Sequence, residues 1–177
     1  MNWPYAILAA VTAQRLAELV IDRRNTARLL AAGAHEVGAR HYPAMVAMHA
    51  AWLFALWLAV AGRAINLPLL GLYGVLQILR VWVLATLGRR WTTRIIVTMG
   101  WPLVRTGPFR FLRHPNYTVV TAEIVVLPLV FGLWWIALLF TLLNAAMLHV
   151  RIGAENQALY DPPGGITADQ QQPRAAP

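Results

Sequence analysis

The sequence predicts an all-α fold: a polytopic membrane helical bundle of about five transmembrane helices, with the last two joined as a helical hairpin. Three observations lead there. Of the 177 residues, 59% are hydrophobic and only 12% are charged, whereas a soluble domain carries about 25% charged residues. The apolar residues fall in long blocks, close to the roughly 20 residues that a spanning helix needs. Of the fifteen basic residues, all arginine, twelve sort to one side of those blocks.

The first block covers residues 3–21. It is not read as a cleaved signal, because it lacks a positive start and carries Gln14, Arg15 and Glu18 in its second half. The second runs from Ala44 to Ala61 and the third from Leu67 to Leu87. The last, Thr118 to Val150, is too long for one span and short for two. Pro128 and Gly132 put a turn near its first third, which gives a short arm to about Val130 and a longer arm to Val150. Under this five-span reading Arg23, Arg24, Arg28 and Arg40, then Arg89, Arg90, Arg94, Arg105, Arg110 and Arg113, then Arg151 and Arg174 share one side, and the other side holds Arg63. The positive-inside rule makes the arginine-rich side cytosolic, with the amino terminus outside and the carboxyl terminus inside. Residues 1–161 are expected to form the membrane domain and residues 162–177, rich in proline, glycine and glutamine, a disordered tail.

The same numbers narrow function. Net charge is +8 and there is no cysteine, so thiol catalysis, thiolate metal sites and disulfides are excluded. The basic balance fits topology and anionic lipid better than nucleic acid, since no soluble module is there to carry nucleic-acid binding. No face gathers histidines and carboxylates at metal-ligand spacing, so no metal is expected. Charged groups inside spans are costly and count as functional candidates. Arg15, Glu18 and Asp22 fall on one face of the first span by their spacing, and they read more readily as a self-neutralised docking stripe than as a site. Gln77 and Arg80 form a similar patch in the third span, where Arg80 has both Glu18 and Glu123 as candidate partners. On the last helix, at about 100° per residue, Asn144, Arg151 and Glu155 lie within about 20° of one line, while His149 lies about 140° away. The first three make a polar stripe that leaves the membrane on the cytosolic side, and His149 reads as interfacial. Taken alone, Arg151 and Glu155 read more readily as an ordinary surface pair.

Between the third and fourth spans the composition changes. The run Gly107-Pro108-Phe109-Arg110-Phe111-Leu112-Arg113-His114-Pro115-Asn116-Tyr117 is dense in arginine, aromatics and proline. Two prolines stiffen it. Asn116 is a candidate N-cap for the helix that follows, whose free N–H groups, with Arg113 beside them, suit an anion. Phe109, Phe111 and Tyr117 offer faces to a planar ring or a sulfonium. A basic loop lying on anionic headgroups is the plainer alternative.

This run resembles the signature of isoprenylcysteine carboxyl methyltransferases and their bacterial relatives. Arg151-Ile152, Glu155 and Leu159 are similar to that family's second signature, just after the last membrane helix. Arg15 to Leu19, Arg24-Asn25, Gly33-Ala34-His35-Glu36, His41-Tyr42 and Trp91 to Val104 resemble a bacterial branch of it. The resemblance covers roughly residues 3–161. The Arg-His-Pro motif alone is shared with sterol reductases and phospholipid methyltransferases, and the two motifs together are more specific. Asn156 stands where members commonly have a second acidic residue, which counts against a role needing paired carboxylates.

The resemblance implies an S-adenosylmethionine-dependent O-methyltransferase acting on a carboxylate, or on an acidic enol or hydroxyl, of a lipophilic small-molecule or prenylated acceptor. It implies that His114, Pro115 and Tyr117, with Arg113 and Asn116, hold S-adenosylmethionine. Arg151 and Glu155 are then expected at the point of methyl transfer, with Asn144 and Glu123 toward the acceptor. The expected location is a bacterial plasma membrane, with the site cytosolic. Two alternatives stay open here: an NAD(P)H-dependent membrane reductase of the sterol-reductase type, and a non-catalytic lipid-binding membrane protein. Binding of NADPH instead of S-adenosylmethionine would select the first. Indifference to Arg151→Ala with Glu155→Gln would select the second.

Overall fold

The computed structural model describes residues 2–97 and 104–160, except for the side chains of 156–160. Among the described residues there are five α-helices: α1 (Trp3–Ala31), α2 (Tyr42–Ala59), α3 (Leu67–Leu87), α4 (Pro115–Val130) and α5 (Trp134–Tyr160). Four of them are long and apolar enough to cross a membrane. At 16 residues, α4 extends only about 24 Å, short of the roughly 30 Å hydrocarbon layer. The expected disordered tail at 162–177 lies outside the described residues.

The α4–α5 hairpin forms where it was expected. Pro128 ends α4 within its last turn, and Gly132 takes a left-handed backbone (φ +68) that turns the chain. The carbonyl of Pro128 accepts from the N–H groups of Phe131 and Leu133. At the same end Asn66 caps α3 by accepting from the Leu69 N–H, and its own N–H donates to the Val130 carbonyl at 2.8 Å. The main core lies here, built from Leu8 of α1, Trp52 and Leu56 of α2, Tyr73 of α3, and Ile124, Leu127, Phe131, Leu133 and Ile136 around the hairpin. Outward faces stay greasy, as at Leu58, Ile78 and Leu142, which is the surface a helix shows to lipid. Exposed Trp3, Trp134 and Trp135 gather at the starts of α1 and α5, as interfacial tryptophans do.

Two local expectations need correction, and two further details are added. Helix α1 runs ten residues past Ile21, to Ala31, so it projects well beyond the apolar block. Helix α4 begins at Pro115, not at Thr118, and its N-cap is His114. Asn116 is therefore inside the first turn, because proline at the first helical position is favoured enough to start the helix there. Helix α5 continues past Val150 to Tyr160. A two-stranded ribbon, β1 (His35–Val37) antiparallel to β2 (Ile95–Val97), adds a little sheet to an otherwise helical fold.

Inside the bundle the polar residues of three helices meet. Arg80 (α3) holds Glu18 (α1) through Nε and Nη2, and holds Glu123 (α4) through Nη1 at 2.7 Å. Arg15 (α1) reaches Glu123 at 2.8 Å and Glu18 at 3.1 Å. Gln77 donates to the other oxygen of Glu123 at 2.8 Å. The open choice for Arg80 resolves as both partners together. Two guanidiniums balance two carboxylates, the condition under which buried charge is tolerable.

Candidate active site

Away from the hairpin end the bundle opens into a cavity of about 260 Å³ among α1, α2, α4 and α5. Its mouth is made by Tyr42, Met45, Trp91, Thr93, Asn116, Tyr117 and Arg151, and its apolar wall by side chains such as Leu16, Leu19, Val46, Ala50 and Leu53, of which Leu16 and Ala50 are exposed. Thr12, Arg15, Glu18, His49 and Arg80 also line it. On α1 the distance from Asp22, at the mouth, to Thr12, at the far end, is ten residues, or about 15 Å of helix.

The mouth is fixed by α1. Asp22 accepts from the backbone N–H of Thr93 at 2.5 Å, and Asn25 donates to the carbonyls of Trp91 at 2.8 Å and Gly88 at 3.2 Å. This explains why α1 outruns its apolar block: its added turns carry the groups that pin the segment after α3. Tyr42 and Thr93 share a hydroxyl hydrogen bond at 3.1 Å. Arg94 bonds both oxygens of Glu36 across the ribbon at 2.8 and 2.9 Å and lies over the Tyr42 ring. Burial works against the Arg94 charge, but the bonds to Glu36 and its charge outweigh it and raise the guanidinium above its ordinary pKa.

Arg151 is buried on α5. Its Nε donates to the Tyr117 hydroxyl at 3.0 Å, Nη1 to Met45 Sδ at 2.6 Å, and Nη2 to the Thr93 carbonyl. The Tyr117 hydroxyl in turn donates to Glu155 Oε2 at 2.7 Å. His114 stacks on the Tyr117 ring at 5.3 Å between centroids, and its Nδ1 is 3.8 Å from Glu155 Oε2. The two sequence motifs therefore meet at one phenolic oxygen. Gly107, at the head of the first motif, has a packing role: a Cβ there would come within 2.6 Å of Thr86 Oγ1 on α3, and its φ is +56.

The residues singled out from sequence divide into groups. Arg151, Tyr117, Asn116 and Asn144 line the cavity; Asn144 is buried and donates to Thr121 at 3.0 Å. Glu155 and His114 are off the wall and join it through Tyr117. Pro115 is buried in the first turn of α4, and Arg113 is exposed. Glu123 does not line the cavity. It is fully buried and engaged by Arg15, Gln77 and Arg80. Phe111 is 73% exposed and takes no part in the wall, leaving Tyr117 as the motif's aromatic face there. His149 is exposed. Sequence reading passed over Thr93, which offers only its backbone carbonyl to Arg151 and so leaves no side-chain signal. It also passed over His49, which was legible as an ionisable residue in an apolar span.

Fold and site together define a polytopic helical membrane protein with a polar-mouthed cavity between its helices. The model of the isoprenylcysteine carboxyl methyltransferase (ICMT) family matches residues 69–161, which takes in both motifs. A Bacillus subtilis (strain 168) protein described as uncharacterized protein YpbQ is 36% identical over 171 residues, covering 89% of this chain and 96% of that protein. No solved structure matches. The chain belongs to the ICMT family.

Proposed function

We propose that this protein transfers a methyl group from S-adenosylmethionine to an anionic oxygen, a carboxylate or acidic enol, of a lipophilic acceptor, at the cytosolic face of a bacterial plasma membrane. Membership of the ICMT family supports methyl transfer in a membrane. The observation that carries the reading is the convergence of Arg151, Glu155 and Tyr117 at the mouth of a cavity that reaches in among the helices.

The residues at the mouth fit S-adenosylmethionine. Asn116 Oδ1 is buried without a hydrogen-bond partner, an acceptor left for an N–H group. The part-exposed carboxylate of Glu155 suits an ammonium, and the Tyr117 ring tolerates positive charge on its face, as the Arg151 guanidinium 5.4 Å from its centroid shows. When bound, this donor supplies an electrophilic methyl carbon on a sulfonium. A carboxylate or acidic enol is already ionised near neutral pH, so the protein need not supply a strong base. Its work is to hold the anion in line and keep water out. Of the five N–H groups of a guanidinium, Arg151 spends three on Tyr117, Met45 and Thr93, and two remain to grip an anion. Glu155, through Tyr117, fixes the angle at which they point. Leu16, Leu19, Val46, Ala50 and Leu53 give the acceptor's chain an apolar path.

The test is to incubate the protein in bilayers with labelled S-adenosylmethionine and a lipid extract. The expected result is a base-labile labelled lipid. A folded sample that labels no lipid would overturn the reading.

A further inference from the structure

His49 sits in the middle of α2, lines the cavity, and is used by none of the contacts that build the mouth. Its Nδ1 is 2.9 Å from the carbonyl of Met45, one turn earlier on the same helix. A carbonyl can only accept, so Nδ1 carries the hydrogen and, in the neutral ring, Nε2 is left as an acceptor. Among the described residues no hydrogen bond to Nε2 is made. Its place relative to Arg151 follows from Met45, whose sulfur touches the guanidinium and whose carbonyl holds the imidazole. His49 is thus one helical turn, about 6 Å of rise, beyond Met45 along α2 toward the hairpin end. Of the other polar groups deep in that wall, Arg15, Glu18 and Arg80 are bound to one another, with Arg15 Nε alone left without a partner, and Thr12 is taken up by the Leu8 carbonyl and Trp57. An imidazole acceptor left open between a guanidinium and an apolar slot calls for a hydrogen-bond donor on the ligand.

Resting on the reading above, we propose that His49 is a specificity residue for the acceptor: its Nε2 accepts from an O–H or N–H group that the acceptor carries a few bonds in from its anion. The preferred acceptor is then an amphiphilic acid with a donor near its head, and plain fatty acids are poor ligands. An anion at Arg151 and a donor about two to three bonds further in follow the order of Met45 and His49 along α2, each at ordinary hydrogen-bond distance. Beyond the donor the chain continues along Val46, Ala50 and Leu53.

Binding can be measured without any methyl donor. Protein in lipid nanodiscs is titrated with three probes of similar length: octanoate, 3-hydroxyoctanoate (an O–H donor) and N-hexanoylglycine (an N–H donor). Each is compared between the wild type, His49→Leu and His49→Asn, so that partition of the probe into lipid cancels in the ratios. At least one donor-bearing probe is expected to bind the wild type about tenfold tighter than octanoate, the effect of one ordinary hydrogen bond. Which one does so tells hydroxyl from amide. That preference should vanish in His49→Leu and return in part in His49→Asn, which keeps an acceptor. Equal binding of all three probes by the wild type, or a preference that survives His49→Leu, would overturn the proposal. Loss of lipid labelling in the transfer assay, with the His49-dependent preference intact, would sink the methyl-transfer reading and leave this one standing.

Discussion

Tyr117 ties the first motif to the second: its hydroxyl accepts from Arg151 and donates to Glu155, using one oxygen to set both groups. Tyr117→Phe keeps the ring and the His114 stack but cuts both bonds, so Arg151 loses the contact that orients its Nε. The expected outcome is a fall in kcat of about 10- to 100-fold, the scale on which misplaced catalytic groups act, with the melting temperature lowered only slightly. Arg151→Ala goes further, removing the group proposed to hold the anion, and should abolish lipid labelling by the labelled-donor assay while the protein still folds. Arg151→Lys should not rescue it, because an ammonium lacks the planar fork that meets Tyr117, Met45 and Thr93 while still facing an anion. Near-normal turnover in Arg151→Ala would mean that the anion is held elsewhere.

At the scale of elements, α1, α3 and α4 are locked by Arg15, Glu18, Arg80 and Glu123, which couple the core to the cavity wall. Arg80→Met strands Glu18 beside Glu123 with only Arg15 to balance them. It should cost about 3–5 kcal/mol of stability, the penalty of breaking a buried ionic cluster on one side, read as a lower denaturation midpoint in detergent. Adding Glu18→Gln restores charge balance between Arg15 and Glu123 and should recover much of that loss; no recovery would mean that Arg80 acts by packing and not by charge. Much of this level is legible in the sequence. Apolar blocks of spanning length gave the helices, and the spacing of Asn144, Arg151 and Glu155 gave the right face of α5. What escaped depends on partners far along the chain. The ribbon pairs three residues with three, too short to show a strand pattern. The added length of α1 makes sense only once Asp22 and Asn25 are seen holding the backbone at Thr93, Trp91 and Gly88. Glu123 was legible as a partner for Arg80 and still looked available to a ligand, because nothing local reveals that Arg15 and Gln77 take it up as well.

For the whole molecule, the design is a wedge: tight at the hairpin end, where Leu127, Phe131 and Leu133 fill the space between helices, and open at the other, where the charged and aromatic groups lie. That asymmetry allows a water-soluble donor and an oily acceptor to reach one point from different phases, provided both motifs lie on the same side of the bilayer. Because the chain has no cysteine, single cysteines can map this directly. Ala32→Cys, at the end of α1, and Arg105→Cys, ahead of the first motif, are on exposed positions at the cavity mouth's end of the bundle; Ala64→Cys is on the short connection between α2 and α3. With intact spheroplasts and a membrane-impermeant maleimide, Ala64→Cys should label at once, and the other two only after permeabilisation. The arginine sorting requires this order, since Arg63 is the lone arginine of its loop while the opposite loops hold many. Labelling of Ala32→Cys and Arg105→Cys at once with Ala64→Cys protected would reverse the proposed orientation, and labelling of all three from outside would break the span count. Labelling of Ala32→Cys and Arg105→Cys from opposite faces would be fatal, because the α1 groups that pin Thr93 and the motif that supplies Tyr117 must share one side of the membrane to build the mouth.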